Sequence, residues 1–446
     1  MVRVRGLWRG VVTAAMAVVV AGGCSSAGGS GGSVGGAVPS RGVDASSLRL
    51  PFKPTVIPYG SGGDAEAPVA PTGGNGRATA PGVSATAIQL GQLVSLSGLA
   101  PGVFQGVADS ARAYAEYVNS LGGVYGRKLV IQVGDDAFDV VKDQAVCQKL
   151  VPQVFALVAG LAPADTGCYP LMKSSGIPVV GPIVYDPRIY ALPNAFVPRP
   201  NYYSNLLPAL QVALHPQVKK VWLCEQDVPG IAAQAAPEQH AWQSLGVQVL
   251  SLPPLPSNAP DYTAAVVQAR NAGAQAVDCF SPAAQVSSQV AKAMAQQGWN
   301  PPVKMGYSAY DTNFLKLAGP AADGWSAGIQ VPTLDPALFV STPAGKLYRK
   351  WAGTTPRSST DYFGWEYMDL VVQALVKAGP DLTRARFTAA LKTIHRFTAD
   401  GMVPPFDPGA KGQPTTCLSL TQIANGKIEQ IVPQKGHLIC GGKYFA

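Results

Sequence analysis

GGVYGRKLVIQVGDDAFD, residues 122–139, poses the choice on which the fold turns. Glycines, then Arg127 and Lys128, then the pair Asp135 and Asp136 read either as a phosphate loop leading to a metal site or as scaffold. The flanks decide. A phosphate-binding turn runs from strand to helix, so that free N–H groups of the first helical turn point at the anion. Here the order is reversed. Phe104, Val107, Ala108, Ala111, Tyr114, Ala115, Val118 and Leu121 recur at helical spacing before the glycines, and RKLVIQVGDD has the apolar run of a strand. Gly122 and Gly123 therefore stop a helix. Arg127 and Lys128 begin an exposed strand end, and Asp135 and Asp136 belong to the loop and cap beyond it. Asp139 is placed to cap the next helix.

The alternation continues outward. AIQLGQLVSL (87–96), VFALVAGLA (154–162) and IPVVGPIV (177–184) read as strands separated by helical segments. A second series follows, with strands at VKKVWLCEQ (218–226), VQVLSLPPL (247–255), AQAVDCFS (274–281) and PVKMGYS (302–308). Its first helix, 230–246, is expected to break at Pro237. Strands alternating with helices imply mostly parallel sheets covered on both faces. A long helix at 361–379, another at 384–394 and a hairpin about Asn425-Gly426 complete the chain. The fold class is α/β, with two units in tandem.

Composition bounds the function. The chain has 446 residues, 47% hydrophobic and 13% charged, enough for a large core in two or three domains. The formal charge of +8 includes Arg3, Arg5 and Arg9 at the start, and the rest is dispersed. Lys/Arg clusters with interleaved aromatics are missing, which argues against nucleic acid. His215, His240, His395 and His437 are scattered, and no HExxH, GxSxG or CxxC pattern occurs. The sequence therefore gives no sign of an enzyme, a metal centre or a cofactor.

The N-terminus reads as a targeting signal over 1–23: three arginines, the apolar run GVVTAAMAVVVA and small residues before Cys24. That run is shorter than the ~20 residues a permanent span needs. Cysteine after the small residues resembles a bacterial lipobox, although Ala21 stands where leucine is preferred. Residues 24–83 are rich in Gly, Ser and Pro and read as a flexible tether from a lipidated Cys24. SLRLPFKPTVIPYG (47–60), less bland, is a candidate to rest on the domain surface. Six cysteines remain in an exported chain, an even number that suggests disulfides, with fifteen possible pairings.

IQLGQLVSLSG and the helix ending YVNSLGGVYGRKLVIQVGDDAFD resemble the opening of type I periplasmic binding proteins, in particular the branched-chain amino-acid receptors of ABC importers. LVAGLAPADTGC, SSGIPVVGP, DYTAAVVQARNAGAQAVDCFSP and PPFDPGAKG follow in the same order, so the resemblance covers about 84–446. It implies two Rossmann-like lobes joined by a hinge: 84–206 plus 332–395, and 207–331 plus 396–446. It implies a monomeric, lipid-anchored receptor outside the cytoplasmic membrane. That receptor hands a small polar solute, an amino acid or a related amide or carboxylic acid, to an ABC permease. A ligand sensor of the same fold, not coupled to import, is the alternative.

Ligands of open α/β sheets bind beyond the carboxyl ends of the strands. The resemblance then points to Ser97, Ala164, Asp165, Thr166 and Tyr185 in the first lobe and to Asp227, Ser281 and Tyr310 in the second. Tyr202 and Phe280 add aromatic character. Family members grip a carboxylate with hydroxyls and amides of the first lobe, and Thr166 matches that hydroxyl best. Asp165 beside it would repel an acid. The usual clamp for an α-amino acid is not plainly present in EQDVPG (225–230) or GYSAYD (306–311). The same topology implies the disulfides Cys147–Cys168, Cys224–Cys279 and Cys417–Cys440.

Overall fold

The computed structural model describes residues 42–64, 69–74, 76–181, 183–198, 204–228, 231–280, 283–331, 336–410 and 416–445. The first lobe contains β2 (Ala87–Val94), α1 (Gln105–Ser120), β3 (Lys128–Asp135), α2 (Val140–Leu150), β4 (Ala156–Val158), α3 (Tyr169–Ser175), β5 (Val179–Val180), α4 (Pro187–Tyr190) and β6 (Ala195–Phe196), after a short β1 (Thr55–Pro58). The second contains α5 (Leu206–Leu214), β7 (Lys220–Glu225), α6 (Ile231–Gln243), β8 (Gln248–Leu250), α7 (Thr263–Asn271), β9 (Ala276–Phe280), α8 (Ala284–Gln296), β10 (Val303–Gly306), α9 (Thr312–Ala318) and β11 (Trp325–Ile329). Then come α10 (Pro336–Ser341), α11 (Pro343–Ala352), α12 (Ser359–Ala378), α13 (Arg384–Leu391), β12 (Cys417–Ala424), β13 (Lys427–Val432) and β14 (His437–Cys440).

Two sheets result. The five-stranded sheet runs β3-β2-β4-β5-β6, all parallel. The nine-stranded sheet runs β1-β14-β12-β11-β10-β9-β7-β8, with β13 on β12. Its β7 to β11 part is parallel, and β12 turns antiparallel against β11. Asn425 and Gly426 both have positive φ, 51° and 69°, as the turn of the β12–β13 hairpin requires. The three disulfides form in the expected order, Cys147–Cys168, Cys224–Cys279 and Cys417–Cys440.

The first lobe is organised by two helices in close contact. The stripe Val107, Ala108, Ala111, Tyr114, Ala115 and Val118 is buried on α1 as the spacing predicts, although Leu121 is exposed. Two glycines let α1 meet α12. A Cβ on Gly106 would strike the Asp361 carboxylate, and one on Gly364 would strike the Val107 carbonyl, Ser110 Oγ and the Ala111 nitrogen. At this crossing Trp365 stands edge-on to Tyr114, with ring centroids 4.9 Å apart. Tyr114 Oη donates to Asp369 Oδ1 at 2.7 Å.

Several expectations need correction. Arg127 is buried. Its Nε, Nη1 and Nη2 donate to the carbonyls of Ser84, Pro380 and Arg77 at 2.9, 2.9 and 3.0 Å. A guanidinium can be buried when its donors are satisfied in this way. Helix α6 continues through Pro237, at the cost of the i→i−4 bond that a proline cannot donate. Phe397, Met402, Val403 and Phe406 pack in the first lobe's core with Phe387 and Tyr367, so that lobe extends past residue 395.

The span expected to be a tether is ordered well before residue 83. β-branched Val56 and Ile57 lie in β1, which pairs antiparallel with β14, Thr55 opposite Cys440 and Pro58 opposite His437. A proline is tolerated there because β1 is an edge strand. Tyr59 N–H donates to the Gly436 carbonyl at 3.0 Å. Asp64 N–H then donates to the Arg396 carbonyl at 3.0 Å on the first lobe, and Arg77 pairs with Asp381 at 3.1 Å. Residues 55–64 thus form a strap from one lobe to the other, and Arg77 is tied to the first lobe. The proposed signal segment 1–23 and Cys24 lie outside the described residues.

Buried carboxyls also collect near Cys147–Cys168. Burial, then the neighbouring Asp136 and Asp165, push the Asp143 carboxyl from an ordinary 3.8 up to about 8. The folded chain keeps this proton where the unfolded chain gives it up. The group's contribution to stability is therefore complete below about pH 4 and is lost as pH rises toward 8, at roughly 1.4 kcal/mol per pH unit. The melting temperature of Asp143→Asn should fall less than that of the native chain over this window, and equal falls would exclude the group. Gly364→Ala should cost about 1–3 kcal/mol through helix displacement. An unchanged thermal midpoint would show that the crossing does not depend on close approach.

Candidate functional site

The carboxyl ends of the parallel strands in both sheets face one cavity of about 120 Å³. Leu161 follows β4, Ile183 and Tyr185 follow β5, and Pro198 follows β6. From the second lobe come Ile231 at the start of α6, Tyr307, Ser308, Tyr310 and Asp311 after β10, and Ile329 and Gln330 at the end of β11. Val103 and Phe104 before α1 complete the side formed by the first lobe's sheet. The apolar packing is continuous across the cleft, with Phe104, Leu161 and Tyr185 in one cluster with Trp222, Phe280 and Tyr310.

The remaining wall is α12. Ser359, Phe363, Glu366 and Tyr367 line the cavity at helical spacing, and Val403 and Phe406 face them from the loop after α13. Tyr367 stacks on Phe406, with centroids 5.9 Å apart. Tyr310 is bonded to Ser359, and burial pushes its hydroxyl up to about 12. Glu366 is 4% exposed and makes no side-chain hydrogen bond among the described residues. Burial first, and Asp369 second, push its carboxyl from 4.5 up to about 8. Asp311 caps α9 by accepting Asn313 N–H at 2.7 Å, and burial pushes it up to about 6.

Two of the residues expected at the site, Tyr185 and Tyr310, meet here. The other described candidates lie outside the lining, each for a local reason. Ser97 is exposed and donates its hydroxyl to Asp135 Oδ2 at 2.6 Å, because the strand-end carboxylate is the nearest strong acceptor. Thr166 turns back to the Ala164 carbonyl at 3.5 Å, and Ala164 is buried in the loop. Asp227 is exposed, and its backbone carbonyl accepts Ser257 Oγ at 3.0 Å. Ser281 and Tyr202 are outside the described residues. Phe280 is not in the lining but packs edge-on to Tyr307, which is, with centroids 5.1 Å apart.

Asp165 acts indirectly. It is buried and accepts the backbone N–H groups of Tyr185 and Asp186 at 2.6 and 2.7 Å, which fixes the loop carrying Tyr185. Burial pushes it up to about 7. Sequence reasoning missed α12. The signal was there in Glu366, an acid set within the apolar run of DYFGWEYMDLVVQAL (361–375).

Among the described residues, one group has metal-ligand spacing. Asp143, Cys147 and Cys168 bring ligand atoms within 4.8 Å of one another, but the two sulfurs are bonded to each other and are not thiolates. No helix among the described residues is long and apolar enough to cross a membrane.

No curated protein matches the sequence. Solved structures do. A fatty acid ABC transporter substrate-binding protein from Thermomonospora curvata is 21% identical, with a TM-score of 0.68 over 82% of this chain and 96% of that one. A branched-chain amino acid transporter substrate binding protein from Streptococcus pneumoniae, in complex with isoleucine, is 16% identical, with a TM-score of 0.64 over 78% and 100%. A leucine binding protein from Thermotoga maritima is 13% identical, with a TM-score of 0.62 over 77% and 97%. These likenesses show the fold. The periplasmic binding protein family matches residues 87–427, most of the chain, and the protein belongs to that family.

Proposed function

We propose that this protein is a lipid-anchored receptor outside the cytoplasmic membrane that captures a small amphipathic solute between its lobes and delivers it to an ABC permease. The observation that carries the reading is the cavity itself: it lies at the strand ends of both sheets, where α/β folds bind ligands. Membership of a family of ABC substrate-binding proteins supports the permease as partner and binding, without catalysis, as the activity. The anchor rests on Cys24 and the apolar run before it.

The lining favours a ligand with a larger apolar body than the small polar solute that the family resemblance implies. Val103, Phe104, Leu161, Ile183, Ile231 and Phe363 offer dispersion contacts and area burial, and tyrosines, serines, Gln330, Asp311 and Glu366 supply polar tips between them. An acyl chain suits such walls, and one of the similar structures is named for a fatty acid.

A thermal-shift series of leucine, isoleucine, benzoate, octanoate and decanoate tests this, since a ligand that binds only the native state raises the midpoint. Octanoate or decanoate should raise it and leucine should not; the opposite order would overturn the apolar reading. Phe363→Ala should weaken the binding acid by about tenfold or more, from lost buried area alone. Ser97→Ala should leave its affinity unchanged. Cys24→Ser should release the protein from membranes.

A further inference from the structure

Among the described residues, the Glu366 carboxyl lines the cavity without a side-chain or backbone partner. Glu366 occupies the middle of α12, buried, with Phe363 and Tyr367 beside it and the apolar Val403 and Phe406 across the cavity. Its carboxyl makes no hydrogen bond among the described residues. A buried polar group left unpaired is costly. The Tyr114 and Asp369 side chains already bond each other, and a hydroxyl pair between Tyr310 and Ser359 closes the other side. Tyr362 Oη, on the same helix, is also without a partner but lies outside the lining, whereas the Glu366 carboxyl faces the cavity, where a ligand can meet it.

The surroundings restrict the ligand's chemistry. An ammonium needs three acceptors; Phe363, Val403 and Phe406, the side chains next to and across from Glu366, offer none, and Ser308, Asp311, Gln330 and Ser359 stand elsewhere on the lining. A carboxylate ligand would bring a second negative charge beside Asp369. A neutral carboxylic acid presents one donor and one acceptor in a plane, and so complements a group with the same pair. We infer that Glu366 is the polar anchor of the cleft and meets its ligand as the neutral acid. The cavity would then take an apolar molecule ending in an uncharged group that both donates and accepts, as a primary carboxamide or an undissociated carboxylic acid does. This rests on the cleft being the ligand site proposed above.

The raised pKa agrees with that geometry. The titratable groups around Glu366 are Asp369, Tyr362 and Tyr367 on its own helix, Tyr114 on α1, Tyr190 on α4 and Asp400 in the loop after α13. No lysine or arginine is among them. Asp311, in the same cavity, titrates lower, at about 6.

Calorimetry of the whole protein with octanamide, octanoate and octylamine, from pH 6 to 9, tests the inference. Octanamide should bind with constant affinity to about pH 7 and weaken about tenfold by pH 9, as the competent acid form is lost. Octanoate should bind with uptake of one proton, read from buffers of different ionisation heat. Glu366→Gln should hold octanamide without the pH slope, and Glu366→Ala should weaken it at every pH. Octylamine binding more tightly than octanamide, or a slope that survives in Glu366→Gln, would overturn the inference. The native pH profile stands even if a variant folds poorly. If Phe363→Ala weakens decanoate while octanamide does not bind, the cleft is the site and Glu366 is not its anchor. If no apolar solute binds at all, the proposed function itself fails.

Discussion

Everything in the first lobe depends on how closely α1 and α12 approach. Gly106 and Gly364 remove the two side chains that would hold them apart, and the aromatic pair Tyr114 and Trp365 closes over the crossing. Sixteen of the twenty residues of α12 are buried, so the helix is inserted in the lobe and does not lie on it. One face packs on α1 while the other carries Ser359, Phe363 and Glu366 to the cavity. Fold stability and the cleft wall are thus set by the same twenty residues. Core packing holds the cleft side chains in place through a rigid helix and not through a loop.

The scaffold was legible because its signals are periodic. The α1 stripe, the strand runs and the Asn425-Gly426 turn each depend on local spacing, and each is found where that spacing puts it. The cleft was less legible for a physical reason. A helix buried on nearly all sides shows no polar face, so nothing in the pattern of α12 separates the residues that face α1 from those that face a cavity. Val403 and Phe406 come from a loop with no period at all. Tyr185 and Tyr310 were reachable because they lie in the loops after the strand ends of β5 and β10.

Charged and hydroxyl residues misled for a different reason: their partners are remote in sequence. Arg127 reads as exposed until three carbonyls, from Arg77, Ser84 and Pro380, are brought around it. Ser97 reads as a ligand hydroxyl until Asp135 accepts its hydrogen bond. Asp165 reads as a ligand contact and instead fixes two amides of the loop that presents Tyr185. In each case a nearby strong partner outcompetes any role in the cleft.

The strap over residues 55–64 has a kinematic consequence. It is a connection between the lobes in its own right, bonded to the larger sheet up to Tyr59 and to the first lobe from Asp64. Between these points runs only YGSGGD. Five residue steps reach about 18 Å when fully drawn out. Any rotation that parts the lobes on that side must stop when this leash is taut, so the chain leading to the N-terminus also sets the widest gape of the cleft.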